Sequence, residues 1–99
     1  MIARVWEGKT SLEHSTIYTK IIEERDLPDY KNAKGFIKLI FLKRSDEEFT
    51  YFKLVTFWEG YDVIKNFTGS LIDEAKFYDT DAQYLIDFPG YIFHFEVFA

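Results

Sequence analysis

The sequence predicts one α+β domain of the ferredoxin-like type, with the element order β-α-β-β-α-β and an antiparallel four-stranded sheet. Three observations favour this fold class. Strand-like and helix-like patterns follow one another in that order, the length suits a single domain over residues 1–99, and hydrophobic residues make up 47% of the chain. A chain of this length buries roughly 65% of the surface that its unfolded form exposes, so a stable core is feasible.

The first half of the chain begins with a strand and a helix. Residues 2–6 are rich in β-formers and predict a short strand. Thr10, with Glu13 three residues on, is typical of a helix N-cap. The helix then carries an apolar stripe at helical spacing, formed by Ile17, Tyr18, Ile21 and Ile22. Residues 26–34 contain Pro28 and several turn formers, so the helix is expected to end there in a loop.

The second half supplies three strands and the remaining helical layer. The expected elements are strands over 35–43 and 49–58 joined by a hairpin at 45–48, helices over 60–68 and 70–78, and a last strand over 91–98. Gly69 is a natural stop for the first of these helices. Together these elements complete the ferredoxin-like order.

Both faces of the predicted sheet are apolar. In the strand over 35–43, one alternating set is Phe36, Ile40 and Leu42 and the other is Ile37, Leu39 and Phe41. An antiparallel sheet with one face in water alternates apolar with polar residues, and two helices cover only one face. A second copy of the chain is the simplest cover for the other face, so the sequence predicts a homodimer.

The composition excludes several classes of partner. Acidic residues outnumber basic ones by 17 to 12 and the cations are scattered, so nucleic acid is not an expected partner. No apolar run approaches the roughly 20 residues of a membrane-spanning helix, and the first nine residues lack the apolar region of a signal peptide. The chain has no cysteine, so disulfide and thiolate chemistry are excluded and a cytoplasmic protein is expected.

Two strand residues are candidates for catalysis. His94 lies among aromatic residues, with Glu96 two positions on and therefore on the same face. It is a candidate general base, and the alternative is a core or interface histidine. Arg4 is an ionised residue inside a strand, which makes it a candidate for stabilising an anionic phenolate or enolate. The alternative for Arg4 is a structural salt bridge, for example to Glu96.

Aromatic residues make up 20% of the chain, and some of them are candidates for a slot that binds a flat aromatic molecule. The candidates are Trp6, Tyr18, Trp58, Phe67 and Tyr78. Tyr78 is also a candidate for proton transfer in catalysis. Ordinary core packing is the alternative for each of them, because so aromatic a chain needs aromatic residues in its core.

The remaining titratable residues predict no metal site. Asp79 and Asp81 lie close together, but hard cations need six or more oxygen ligands, and an N-cap for a turn at Ala82 is the favoured interpretation. His14 lies at the edge of the helical stripe, where a solvated position is favoured over pocket lining. No paired-carboxylate, Ser-His-Asp, zinc or phosphate-loop pattern occurs in the sequence.

Four segments, in the same order, resemble the antibiotic biosynthesis monooxygenase family. They are Ile2 to Thr10, Phe57 to Gly60 leading into Ile64 and Phe67, Glu74 to Asp79, and Phe93 to Val97. The resemblance spans nearly the whole chain and implies a dimeric α+β barrel, in which two sheets pack face to face with the helices outside. Members of that family include cofactor-free oxygenases of aromatic quinols, haem-degrading enzymes and proteins of unknown role.

The haem-degrading branch fits this sequence poorly. When Trp58 is matched to the Trp that closes the same strand in that branch, the catalytic Trp falls on Phe67 and the catalytic His on Phe77. The first strand also contains no Asn. Without the His there is no ligand for haem iron at that position, so haem degradation is disfavoured and no cofactor is expected.

Two hypotheses of function remain. The first, implied by the resemblance, is a cofactor-independent monooxygenase of a small aromatic or quinol-type substrate. A phenol or quinol would lose its proton to His94 or a tyrosine, and its anion, held near Arg4, would pass an electron to O₂. The second hypothesis is a non-catalytic dimeric module that binds a small hydrophobic metabolite.

Overall fold

The computed structural model describes residues 1–69, 72, 79–87 and 92–99. The strands are β1 (Ile2–Ser11), β2 (Phe36–Ser45), β3 (Phe49–Trp58) and β4 (Phe93–Glu96), and the α-helices are α1 (Ser15–Ile21), α2 (Leu27–Lys31) and α3 (Tyr61–Thr68). Two 3₁₀ turns, Leu12–His14 and Asp79–Gln83, and a π-helical turn, Ile22–Asp26, complete the described elements. None of the described helices is long and apolar enough to cross a membrane.

The four strands form one antiparallel sheet in the order β2-β3-β1-β4. This is the predicted ferredoxin-like arrangement, with β1 and β3 in the centre. The strand over 49–58 and the helix over 60–68 were predicted with nearly the observed bounds. The last strand is shorter than predicted, and Tyr91 lies outside the described residues. The predicted helix over 70–78 lies almost entirely outside them as well.

The helical run after β1 is longer than the sequence predicted. Instead of a loop from residue 26, the chain passes through the π-helical turn and continues as α2. Pro28 is accommodated because it lies in the first turn of α2, where its missing N–H is not needed for the helix. The buried residues of this run recur every fourth position, as Tyr18, Ile22, Asp26 and Tyr30.

Two local predictions were wrong. Thr10 is not a helix N-cap, because β1 continues to Ser11 and the Thr10 hydroxyl donates to the Ser11 carbonyl oxygen. In β2 the register shifts between Phe36 and Lys38, so that one residue bulges. Phe36 therefore shares the helix-covered face with Leu39 and Phe41, and Ile40 and Leu42 lie on the other face. The sequence prediction assumed strict alternation, which placed Phe36 on the opposite face from Leu39 and Phe41.

The core between the sheet and the helices consists of two aromatic clusters. The first is built from Trp6, Tyr18, Ile22, Phe52, Leu54 and Ile92. The second is built from Ile2, Tyr30, Trp58 and Ile64, with Phe36 and Phe67 packed against them.

The sheet face that points away from the helices, here called the open face, carries exposed apolar side chains. Phe93 is 65% exposed and lies in one cross-strand row with Val5, Val55 and Ile40, and Phe95, 55% exposed, lies opposite Ala3. A second apolar face is therefore present, as the sequence predicted. It also carries charge, because Glu7 and Lys53 pair across β1 and β3 at 3.1 Å. A shallow cavity of about 520 Å³ lies at this charged end, between Leu42, Arg44 and Tyr51 among others.

The β2–β3 hairpin is closed by one side chain. The Asp46 carboxylate accepts hydrogen bonds from the backbone N–H groups of Glu48 and Phe49 and from the hydroxyl of Tyr51. These hydrogen bonds lower the pKa of Asp46, with the two backbone groups as the main cause. The turn predicted at 45–48 is thus specified by its aspartate.

Candidate functional site

Arg4 is the charged residue that β1 points into the core. Its side chain lies on the helix-covered face and the residue is only 2% exposed. Its Nη1 donates to the carbonyl oxygen of Ile72 at 2.7 Å and to Nε2 of His94 at 3.1 Å. A buried guanidinium is costly unless its donors are used, so these contacts hold both the charge and the position of Arg4.

His94 reaches Arg4 because β1 and β4 are neighbours. The register places Arg4 opposite His94 and Ile2 opposite Glu96, so the cross-strand neighbour of Arg4 is His94. A guanidinium has no acceptor, so His94 Nε2 must be the accepting nitrogen of the Arg4 contact. The other side of the His94 ring packs edge-on against Tyr61, with 5.8 Å between ring centroids.

A buried network of two carboxylates and one arginine lies across the core from the sheet. Arg25, in the π-helical turn, donates from Nε to Asp26 at 2.6 Å and from Nη2 to Asp81 at 2.9 Å. The Tyr18 hydroxyl donates to the same oxygen of Asp81 at 3.0 Å. Asp26 is 5% exposed and Asp81 is 2% exposed. The network therefore connects the helical run to the Asp79–Gln83 turn.

Burial controls the protonation of this network. It raises the pKa of Asp26, with Asp81 and Asp29 adding to the effect and Arg25 opposing it. Burial, reinforced by Asp81, raises the pKa of Tyr18 well above its ordinary value. Burial also raises the pKa of Tyr30, against the charge of Arg4. Both tyrosines are therefore protonated at neutral pH, and Tyr18 serves as a donor to Asp81.

Arg4 and the two carboxylates of the Arg25 network, Asp26 and Asp81, line one small cavity. Its walls are formed by Arg4 and Trp6 from β1, Leu54 from β3, and Tyr18, Asp26, Tyr30 and Asp81. The cavity volume is about 10 Å³, which matches one water molecule and no aromatic ring. Five polar side chains around one such volume provide the two to four partners that a buried water requires.

An apolar pocket lies beside this cavity. Its volume is about 200 Å³ and its walls include Ile22, Phe41, Phe52 and Leu54, with Lys43 and Glu23 also lining it. Leu54 belongs to the walls of both the pocket and the polar cavity. The pocket is large enough for the ring of a small aromatic molecule, and it shares Leu54 with the cavity that the buried charges line.

The predicted slot residues do not form a single slot. Trp6 and Tyr18 belong to the first aromatic cluster, and Trp58 and Phe67 belong to the second. Phe67 stacks on Tyr30, with 4.9 Å between ring centroids, and Trp58 is fully buried. Among these four residues, Trp6 and Tyr18 also line the polar cavity. Tyr78 lies outside the described residues, so its predicted role stays a prediction.

The residues that sequence reasoning missed are the acidic ones. Asp26 had been placed in a loop, and Asp81 was interpreted as a cap for a turn. Asp81 does lie in a 3₁₀ turn, but its side chain is buried and accepts bonds from Tyr18 and Arg25. The sequence does contain a signal for Asp26. Tyr18, Ile22 and Tyr30 are separated by multiples of four residues, and Asp26 falls on the same spacing. His14, predicted at a solvated edge, is half-buried against Tyr84.

The cavity is lined by one guanidinium, Arg4, and by two carboxylates, Asp26 and Asp81. Among residues 1–69, 72, 79–87 and 92–99, no group of three or more His, Cys, Asp or Glu side chains is placed to bind a metal. Arg4 presents a buried positive charge next to a polar cavity, which is the arrangement that stabilises a developing oxyanion.

Comparison with known proteins supports the fold. No protein-family model matches the sequence, and no curated protein is significantly similar to it. A crystal structure of a Bacillus cereus protein, assigned provisionally as an antibiotic biosynthesis monooxygenase, superposes with a TM-score of 0.53 at 17% sequence identity. The match covers 94% of this chain and 86% of that chain. At this identity the likeness shows a shared fold: the chain has the ferredoxin-like α+β architecture of that monooxygenase-like neighbour.

Proposed function

We propose that the protein is a homodimeric, cofactor-independent monooxygenase of a small phenol- or quinol-type substrate. The observation that carries this proposal is the buried guanidinium of Arg4, held by His94 and facing a polar cavity beside an apolar pocket. A positive charge in a site that excludes water stabilises a phenolate far better than the same charge would in water. The fold shared with a monooxygenase-like neighbour adds support.

The chemistry needs only the substrate, O₂ and a proton acceptor. The aromatic ring occupies the apolar pocket, and its hydroxyl reaches toward Arg4 past Leu54. Loss of the proton gives an electron-rich anion that transfers an electron to O₂. At a ring C–H carbon para to the phenol hydroxyl, one oxygen atom of O₂ becomes a new carbonyl oxygen, and the hydrogen of that carbon and the hydroxyl proton leave with the other oxygen as water, giving a quinone. The protein contributes orientation, desolvation and charge stabilisation.

Oxygen uptake by the purified, metal-free protein tests this proposal. With a panel of anthrols, naphthols and quinols, we expect uptake well above the autoxidation blank. The Arg4→Gln variant keeps a hydrogen-bond donor but removes the charge, so we expect its rate to fall at least about 100-fold. Lys20→Gln is the control, because the Lys20 side chain is 73% exposed on the helical side, away from the open face. Equal rates for the two variants would remove Arg4 from the mechanism.

The open face supports the homodimer. Phe93 and Phe95 are more than half exposed at one edge of an apolar sheet face, and such patches mark protein interfaces. Phe95→Asp should therefore convert the dimer to a monomer in sedimentation velocity. Ile17→Asp is the control, because Ile17 is 47% exposed on the helical side of the molecule. A monomeric wild type, or a Phe95→Asp dimer as stable as the wild type, would contradict the proposal.

A binding module without catalysis is the second candidate. The observation that favours it is the volume of the polar cavity, about 10 Å³, which does not admit an aromatic ring. Under this alternative a naphthol binds in the apolar pocket without consumption of oxygen, and Arg4→Gln changes its affinity little. Calorimetric titration beside oxygen uptake separates the two functions.

A further inference from the structure

We propose that Asp26, rather than His94, accepts the substrate proton, through a single water molecule held in the polar cavity. The inference rests on the proposed function and names the base of the same site. Asp26 lines the cavity together with Arg4, so the group that accepts the proton and the group that holds the anion face the same volume.

The geometry of Asp26 leaves one carboxylate oxygen available. Among the residues that the structure describes, the hydrogen bond to Asp26 comes from Arg25 Nε and goes to Oδ1. Oδ2 receives none from them. The residue is 5% exposed, and Oδ2 is not among the described side-chain atoms that are fully buried without a partner, so water can reach it. A water in the cavity then donates to Oδ2 and links it to the substrate side.

His94 is a poor base in this arrangement. A neutral imidazole has one nitrogen lone pair, and Arg4 Nη1 donates to Nε2 at 3.1 Å. The lone pair that would take a proton is therefore already used in holding Arg4. Protonation of Nε2 would break that contact and place two cations side by side. His94 is accordingly a positioning residue for Arg4.

The charged surroundings of Asp26 are compatible with a base that works near neutral pH. The groups that face it are Arg4 from β1, Tyr18 from α1, Arg25 from its own turn, Asp29 and Tyr30 from α2, and Asp81 from the 3₁₀ turn. Burial raises the pKa of Asp26, and Asp81 and Asp29 reinforce this while Arg25 opposes it. A raised pKa makes the carboxylate a stronger proton acceptor.

The proton transfer is balanced and needs no further reactant. The phenol O–H bond breaks, its proton passes to the cavity water, and the water releases one of its own protons to Asp26 Oδ2. The negative charge moves from Asp26 to the substrate oxygen, beside Arg4. The proton returns to solvent when Asp26 ionises again at the end of the turnover.

The test measures substrate ionisation and oxygen uptake separately. A naphthol probe absorbs differently as phenol and as phenolate, so its spectrum when bound reports the proton transfer alone. We expect phenolate with the wild type and phenol with Asp26→Asn. We also expect oxygen uptake by Asp26→Asn to fall at least about 100-fold and to lose the decline that the wild type shows as the pH is lowered. Asp26→Glu should restore part of both signals.

Matched variants distinguish the outcomes. Asp29 is a carboxylate that raises the pKa of Asp26 without lining the cavity. Asp29→Asn should therefore keep the bound phenolate. His94→Gln keeps an acceptor for Arg4 but loosens its position, so oxygen uptake should fall while its acidic decline remains. If His94→Gln instead loses the acidic decline and Asp26→Asn keeps it, the proposal is overturned. If the wild type binds phenolate without consuming oxygen, the monooxygenase function fails while the role of Asp26 in deprotonation stands.

Discussion

Replacing Arg25 by methionine should destabilise the fold by about 3 kcal/mol, because two buried carboxylates then lose their shared cation. Arg25 donates to Asp26 at 2.6 Å and to Asp81 at 2.9 Å. Removing one partner of a buried ion pair typically costs about 3–5 kcal/mol, and the lower end applies because a fifth of the Arg25 side chain is exposed. Urea denaturation at neutral pH, compared with the wild type, measures the loss.

The destabilisation caused by Arg25→Met should become smaller as the pH is lowered. The pKa of Asp26 is raised in the folded state, and without Arg25 it rises further. A carboxyl whose pKa is higher in the folded state binds its proton more readily there, so stability increases as the pH falls from the folded toward the unfolded pKa. The deficit of Arg25→Met should therefore shrink as the pH is lowered. A deficit that grows on acidification would contradict this account, and Arg25→Lys, which keeps the charge, should lose less.

Replacing Trp58 by alanine should cost about 4 kcal/mol, the typical loss for a fully buried tryptophan. Trp58 is 0% exposed and contacts the rings of Tyr30, Phe36 and Phe67. A domain of this kind has a total stability of about 5–15 kcal/mol, so the loss is a large fraction of it. The change in denaturation midpoint at constant slope would report the loss.

Trp58→Phe is the control for packing. It keeps an aromatic ring in the second cluster and removes the hydrogen bond from Trp58 Nε1 to the Thr56 hydroxyl, 2.8 Å long. We expect a loss of about 1–2 kcal/mol from the lost hydrogen bond to Thr56 and from the smaller ring. A Trp58→Ala protein as stable as Trp58→Phe would mean that the cluster refills the cavity, and that Trp58 does not organise it.

The sequence predicted the elements whose evidence is local. Runs of β-formers define β3 and the first half of β1 without any knowledge of their partners, whereas the extension of β1 from residue 6 to Ser11 was not predicted. The Ser45–Glu48 hairpin is likewise local, because Asp46 bonds to residues two, three and five positions ahead. The predicted helix ends before residue 26 because Asp26 and Pro28 both suggest a loop, whereas the observed helical run continues to Lys31. The four-residue spacing of buried residues, which continues to Tyr30, was the stronger signal.

The site could be predicted only where strand pairing was implied. Arg4 and His94 are 90 residues apart in sequence. Neighbouring first and last strands suggested Glu96 as a partner for Arg4, whereas the register places His94 opposite Arg4 and Glu96 opposite Ile2. The bond between Tyr18 and Asp81 spans 63 residues and depends on a turn that packs against the helix. No local pattern encodes such a contact. Asp81 therefore looked like a cap in the sequence, whereas in the fold it holds a tyrosine and an arginine.

The π-helical turn sets which residues can face the sheet together. In an uninterrupted α-helix, at about 100° per residue, the twelve steps from Tyr18 to Tyr30 would leave the two side chains about 120° apart around the axis. The wider turn at Ile22–Asp26 takes up most of that angle, so that Tyr18, Asp26 and Tyr30 line the same cavity. The site is thus more vulnerable to the gain or loss of one residue in this turn than to most changes of its side chains.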